Sequence, residues 1–104
     1  MNITKDSEKV IYCIYKMYLE SRKQGKSKYD SRRFEEDFYL NDKDLSKWHD
    51  SDISDCMLEL ARNGYIKIYI GGNFELLDST IVYMENRFKN GLKDVVDVIS
   101  KFVP

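Results

Sequence analysis

The chain has 104 residues, enough for one domain with a modest core and no covalent staples. Seventeen Lys and Arg against eighteen Asp and Glu leave a formal net charge of −1, which excludes a global electrostatic pull toward nucleic acid or a membrane surface. Two cysteines without CxxC spacing and a single histidine make neither a zinc site nor a disulfide framework, so no metal and no cofactor is expected.

The opening MNITKDSEK carries no apolar run behind its charges, and no stretch approaches the roughly 18 apolar residues of a membrane span. A cytoplasmic protein without signal peptide or membrane partner is expected. Asp6 or Ser7 is placed to cap a first helix, whose Val10, Ile11, Ile14, Met17 and Tyr18 form the stripe of a helix buried on one side. Tyr12, Tyr15 and Leu19 widen that surface toward a second partner. Arg22-Lys23 and then Gly25 suit the helix end. The polar KQGKSKYDSRR that follows reads as a loop. Within RFEEDFYL, the spacing of Phe34 and Phe38 favours a helical turn, while Phe38-Tyr39-Leu40 fits a strand, and both remain open.

Asn41 or Asp42 can cap a short helix through Leu45 to Trp48. Asp50 or Ser51 then caps a longer one, with Ile53, Met57 and Leu60 inward, Ala61 beside them and Gly64 at its end. Ile66, Ile68 and Ile70 alternate with Lys67 and Tyr69, and Phe74 and Leu76 flank Glu75. The two-residue connection Gly71-Gly72 between such runs predicts a tight hairpin. Asp78 or Ser79 caps a further helix bearing Ile81, Met84 and Phe88. Asn90-Gly91 interrupts it before a last amphipathic segment of Leu92, Val95, Val96, Ile99 and Phe102. The expected core includes Val10, Ile14, Ile53, Met57, Leu60, Ile66, Ile68 and Leu76.

Helix, short helix, helix, hairpin, helix is the order of a winged helix-turn-helix domain. Ile53-x3-Met57-x2-Leu60-x3-Gly64-Tyr65-Ile66 looks like the third helix of such a domain running into the Gly-Tyr-Ile that opens its wing. FELLDSTIVYMENRFKNG is similar to the strand and helix start that close the wing. Over roughly residues 8–103 the chain resembles the small YjcQ-like winged-helix proteins of bacteria and their phages. It departs from them in a longer basic insert at 22–33 and a tighter segment from Leu45 to Ile53. The resemblance implies a single α+β, mostly α, domain over 1–104: a winged helix-turn-helix with a two-stranded wing at 65–77 and a C-terminal helical extension at 79–102. It also implies DNA binding, with helix 51–63 in a major groove and the Gly71-Gly72 tip near phosphate.

The charges complicate that implication. Residues 16–33 hold seven basic side chains against Glu20 and Asp30, whereas residues 34–59 hold nine acids against Lys43 and Lys47. A basic side and an acidic side are one reading, and two solvated faces the other. Helix 51–63 offers Asp52, Asp55, Cys56, Glu59 and Arg62 on its outer face, and three carboxylates against one Arg repel a phosphate-lined groove. The tip has no Lys or Arg; Lys67 is the one base of the hairpin. The alternative contact is the insert, in which Arg22, Lys23, Lys26, Lys28, Arg32 and Arg33 surround Tyr29 in a mobile loop. That is the composition of an arm that grips phosphates weakly and without regard to sequence, Lys67 assisting, while Tyr29 stacks on an unpaired base. A merely solvated loop competes with it.

Trp48-His49 lacks a nearby nucleophile, the carboxylates at 35–37 and 50–59 lack a metal-binding pattern, and there is neither a P-loop nor GxGxxG, so an enzyme is not expected. Two functions remain. One is a nucleic-acid accessory or regulatory protein that works through the insert. The other is a protein-interaction module whose Asp52, Asp55 and Glu59 dock a basic partner or mimic the charge of DNA. Apolar residues in excess of one small core, among them Tyr15, Leu19, Phe88, Leu92, Val95 and Ile99, predict a homodimer, with fold-back of the last helix onto the first as the alternative.

Overall fold

Helix α1 (Lys5–Lys23) runs through the middle of the computed structural model, which describes residues 1–102; Val103 and Pro104 lie outside the described residues. Its cap is Thr4, not Asp6 or Ser7: Thr4 Oγ1 accepts from the Ser7 amide at 3.3 Å. Ser7 is buried because it faces another helix. Val10, Ile11, Tyr12, Cys13, Ile14 and Tyr15 are buried in unbroken succession. Consecutive helical residues are about 100° apart, so six of them encircle the axis, and the middle of α1 is enclosed on every side rather than along one stripe.

The expected loop after α1 is folded. Helix α2 (Lys28–Ser31), one turn capped by Ser27 Oγ at 3.1 Å from the Asp30 amide, leads into strand β1 (Arg33–Phe34). Of the two readings of the segment to 41, the helical turn holds, as a 3₁₀ turn over Phe38–Asn41; Phe38-Tyr39-Leu40 is not a strand, the strand lying earlier at Arg33–Phe34. A second 3₁₀ turn spans Leu45–Lys47, and of its two possible caps it is Asp42 that serves, accepting from the amides of Asp44 and Leu45 at 3.0 and 2.9 Å. Asp42 also meets Lys16 of α1 at 2.7 Å, with its side chain 1% exposed.

Helix α3 (Asp50–Arg62) starts after His49 without a side-chain cap from Asp50 or Ser51. Ile53, Met57 and Leu60 are buried, and so is Cys56, which the spacing placed outside; α3 packs on both α1 and the hairpin, so its covered face is wider than one stripe. Gly64, at φ +79°, closes the helix, and the Tyr65 amide reaches back to the Leu60 carbonyl at 3.0 Å. Only glycine takes that left-handed conformation without strain.

Strands β2 (Ile66–Ile68) and β3 (Phe74–Leu76) form the expected antiparallel hairpin, with Ile66 opposite Leu76 and Ile68 opposite Phe74. The connection is longer than Gly71-Gly72 alone. The Tyr69 amide bonds the Asn73 carbonyl at 2.8 Å and the Gly72 amide the Tyr69 carbonyl at 3.0 Å, leaving Ile70 at a fully exposed tip. Strand β1 adds along the free edge of β3, giving a three-stranded sheet in the order β1-β3-β2. One face of the sheet is apolar, Phe74 stacking on Phe34 at 5.2 Å and meeting Phe38 edge-on at 4.9 Å.

Helix α4 (Asp78–Arg87) follows Leu77 and is tied to the hairpin by Thr80 Oγ1, which donates to the Tyr65 carbonyl at 2.8 Å. The break at Asn90-Gly91 is where the sequence places it, and α5 (Leu92–Ser100) turns back onto α1. Tyr15, Phe88, Val95 and Ile99 are therefore buried within the chain itself, and Leu19 and Leu92 are half-buried against the same core. Fold-back of the last helix, the alternative reading, covers these residues within the chain, while Val82, Tyr83 and Val96 stay exposed. The expected core residues are all buried except Ile68, which is partly so. Among the described residues no helix is long and apolar enough to cross a membrane.

The Lys16–Asp42 pair clips the segment between β1 and α3 onto the central helix. Burial opposes ionisation of both groups, yet their mutual hydrogen bond and charge, with the Leu45 and Asp44 amides, hold the Asp42 carboxyl below its ordinary value and raise Lys16. Asp42→Ala leaves a shielded ammonium and two amides unpaired, and an expected loss of about 3 kcal/mol should appear in urea unfolding at neutral pH. A carboxyl that titrates lower folded than unfolded contributes fully above about pH 4, so the difference from wild type should shrink as pH falls further.

Candidate functional site

Side chains alternate across a strand, so the residues between the apolar positions of the sheet share its outer face. Arg33 of β1 and Lys67 of β2 are both register partners of Glu75 on the central strand, which sets one carboxylate between two cations. Tyr69, two residues beyond Lys67, leans over the same strand and donates its hydroxyl to Glu75 Oε1. Arg32 donates through Nε and Nη2 to Glu75 Oε2, each at 3.3 Å, and Arg33 Nη1 lies 3.7 Å away. Crowded by these groups, Glu75 is only 8% exposed although it belongs to a solvent-side face.

The Tyr69 hydrogen bond holds the Glu75 carboxyl below its usual range; burial opposes this, and Arg32 and Arg33 reinforce it. The same bond raises Tyr69, whose phenol stays protonated and remains the donor. Beyond Glu75, Arg32 Nη1 reaches Asp78 at 2.5 Å, and Lys28 lies 3.7 Å from the same carboxylate. Aromatic rings complete the face. The Arg33 guanidinium stands 4.9 Å from the centre of Tyr29 and 5.5 Å from that of Tyr69, and the Lys67 ammonium is 5.1 Å from Tyr69. Tyr29 itself is 62% exposed.

The structure thus gathers Lys28, Tyr29, Arg32, Arg33 and Lys67, which the sequence named from two separate segments. Arg22, Lys23 and Lys26 stay apart and exposed around the C-terminal end of α1, where Arg22 donates to the Lys26 carbonyl at 3.0 Å. Tyr69 and Glu75 were missed. Their alternation with apolar neighbours marked them as outward-facing, but only the pairing of β1 with β3 brings arginines beside them.

The acidic candidates divide. Asp52 and Asp55 are exposed on α3, next to a half-exposed Leu58 and to Arg62. Glu59 instead turns to the start of α1, accepting from Ser7 Oγ at 2.5 Å, Thr4 Oγ1 at 2.8 Å and the Thr4 amide at 3.0 Å, and those bonds hold its carboxyl low. It joins α3 to α1 and is committed to that role. Trp48 is half-buried with Lys9 5.9 Å from its ring, and His49 precedes α3 at the surface. Burial pushes the Cys13 thiol up to about 12 and raises Cys56, so neither offers a thiolate.

No family model matches the chain, and no curated protein or solved structure is significantly similar to it.

Strand β1 is two residues long, and the pairs of Arg33 and of the preceding Arg32 with Glu75 add to the ladder and the Phe34–Phe74 stacking that keep it on the sheet. The Glu75 contribution is complete above the ordinary glutamate value of about 4.3 and lost as pH falls through the lowered one. The Leu76 amide, bonded to the Arg32 carbonyl at 2.8 Å, reports this release. Its hydrogen-exchange protection is expected to drop on acidification in the wild type, and to be low and pH-independent in Glu75→Gln.

Proposed function

We propose that this chain is a small winged-helix accessory protein that binds nucleic acid without sequence preference, through the basic segment 22–33 and the adjoining outer face of the sheet rather than through α3. The observation that carries the reading is the convergence of Tyr29, Arg33, Tyr69 and Lys67 on one solvent-facing surface. Cations that reach phosphate and rings that reach bases are the two devices of sequence-tolerant binding. The element order, with a hairpin directly after a glycine-closed third helix, supports the winged-helix part of the reading. Helix α3 argues against groove insertion, because its exposed charges are Asp50, Asp52 and Asp55 against Arg62.

The cations differ in availability. Arg32 is engaged by Glu75 and Asp78, whereas Arg22, Lys23 and Lys26 have no carboxylate partner within ion-pair distance among the described residues. These three are the groups to remove. Replacing Arg22, Lys23 and Lys26 together by Ala is expected to weaken binding to DNA and to flatten the slope of log affinity against log salt by about 2. Fluorescence anisotropy at two salt concentrations measures both. Asp52→Lys with Asp55→Lys should strengthen binding; weakening would make α3 the reader.

A second reading rests on Leu58. It is 48% exposed on α3 between Asp55 and Arg62, an apolar point in an acidic surround that suits a basic protein surface. Absence of binding to any DNA at low salt would favour this reading, and Leu58→Asp should then abolish complex formation without unfolding the chain.

A further inference from the structure

We infer that the outer face of the sheet is a stacking platform for unpaired bases, so that the nucleic acid taken by this protein is single-stranded. This rests on the nucleic-acid reading just given and assigns its substrate class. The first support is the way Tyr69 is held. Its hydroxyl is bonded to Glu75, and Glu75 is in turn fixed by Arg32 and Arg33, so the ring sits over the central strand before any ligand arrives. Little side-chain freedom is then left to lose on binding.

The second support is spacing. One guanidinium, that of Arg33, lies 4.9 Å from the Tyr29 ring centre and 5.5 Å from that of Tyr69, so the two rings stand within about 10 Å of each other. Two rings and a planar cation this close together, with Tyr29 well exposed, offer π-surface that successive bases can reach, and every base has a face to stack. In a duplex the bases are already stacked on one another, and exposing one costs a few kcal/mol.

The third support is the distribution of charge around the platform. At the hairpin end stand Glu35, Glu36 and Asp37, with the Glu36 amide bonded to Asn73 Oδ1 at 3.2 Å and its side chain lying against Gly72. At the other end Lys28 stands beside Asp78, and the chain before it carries Lys26, Lys23 and Arg22 at the end of α1. A phosphate chain leaving the rings is repelled by the first end and drawn along the second, which gives a single strand a direction in which to lie. The surfaces that would enter a duplex groove, the outer side of α3 and the hairpin tip, carry exposed carboxylates or no base at all.

Anisotropy titrations with a labelled oligothymidylate of about 12 nucleotides and with a hairpin duplex of similar length test the inference, at low salt and on the full chain. Tighter binding of the single strand is expected. Tyr29→Ala, a change at an exposed position, and Tyr69→Ala should each weaken it about tenfold, while Tyr69→Phe, which keeps the ring, stays within about threefold, and duplex binding stays within about twofold throughout. If Tyr29→Ala and Tyr69→Ala bind the single strand as tightly as wild type, or if the duplex is preferred, the platform is overturned while nucleic-acid binding through the cations stands. If neither nucleic acid binds, the underlying reading falls and the platform with it.

Discussion

Everything in this molecule is arranged around a helix whose middle has no exposed side. Val10 to Tyr15 of α1 are buried without interruption, and a helix so enclosed requires partners all around its axis. Helix α3 and helix α5 supply most of the enclosure, and the end of α4 adds Phe88, which meets Tyr12 edge-on at 5.4 Å and lies 6.3 Å from Tyr15. The buried residues of the last helix, Val95 and Ile99, are thus covered within this chain. Close wrapping has a local cost. It shows at Tyr12, whose phenol is pushed by burial up to about 12.

Three carboxylates of the chain join distant segments rather than face outward. Asp42 reaches Lys16, Glu59 reaches Thr4 and Ser7, and Glu75 reaches Arg32 and Arg33, each bringing together segments far apart in sequence. Surface ion pairs contribute little, but each of these is at least partly shielded and shares its oxygens with other donors. The basic stretch thus finds part of its counter-charge within the fold, Lys16 in Asp42 and Arg32 and Arg33 in Glu75. Within the basic stretch, Arg22, Lys23 and Lys26 have no carboxylate partner within ion-pair distance among the described residues, and on α3 Asp52 and Asp55 stay exposed. Function has to be sought in that remainder and in the rings set among it.

The sheet shows how fold and site are one construction. Its inner face, Phe34 and Ile68 on either side of Phe74, packs the hairpin and β1 onto the core. That same register obliges Arg33, Glu75 and Lys67 to share the opposite face. No separate device is required to gather the cations; the pleat does it once the apolar residues have chosen their side.

The sequence alone determined whatever is written in neighbouring residues. The apolar period of α1, α3 and α5, the alternation of β2 and β3, the glycine stop at Gly64 and the break at Asn90-Gly91 all express backbone geometry repeated over a few positions, and each was legible. Tertiary structure decided what has no local period. Two residues of β1 are too few to alternate visibly, so a third strand, and with it the meeting of Arg32 and Arg33 with Glu75, could not be read. The run Tyr12, Cys13, Ile14, Tyr15 looks like a widened stripe until three partners close over it. Cys56 seemed outward because one apolar face was counted where packing made two. That α5 packs on its own α1 was likewise one of two arrangements the apolar spacing allowed. Such choices are settled by desolvation and close packing summed over segments distant in sequence, and no window of consecutive residues contains that sum.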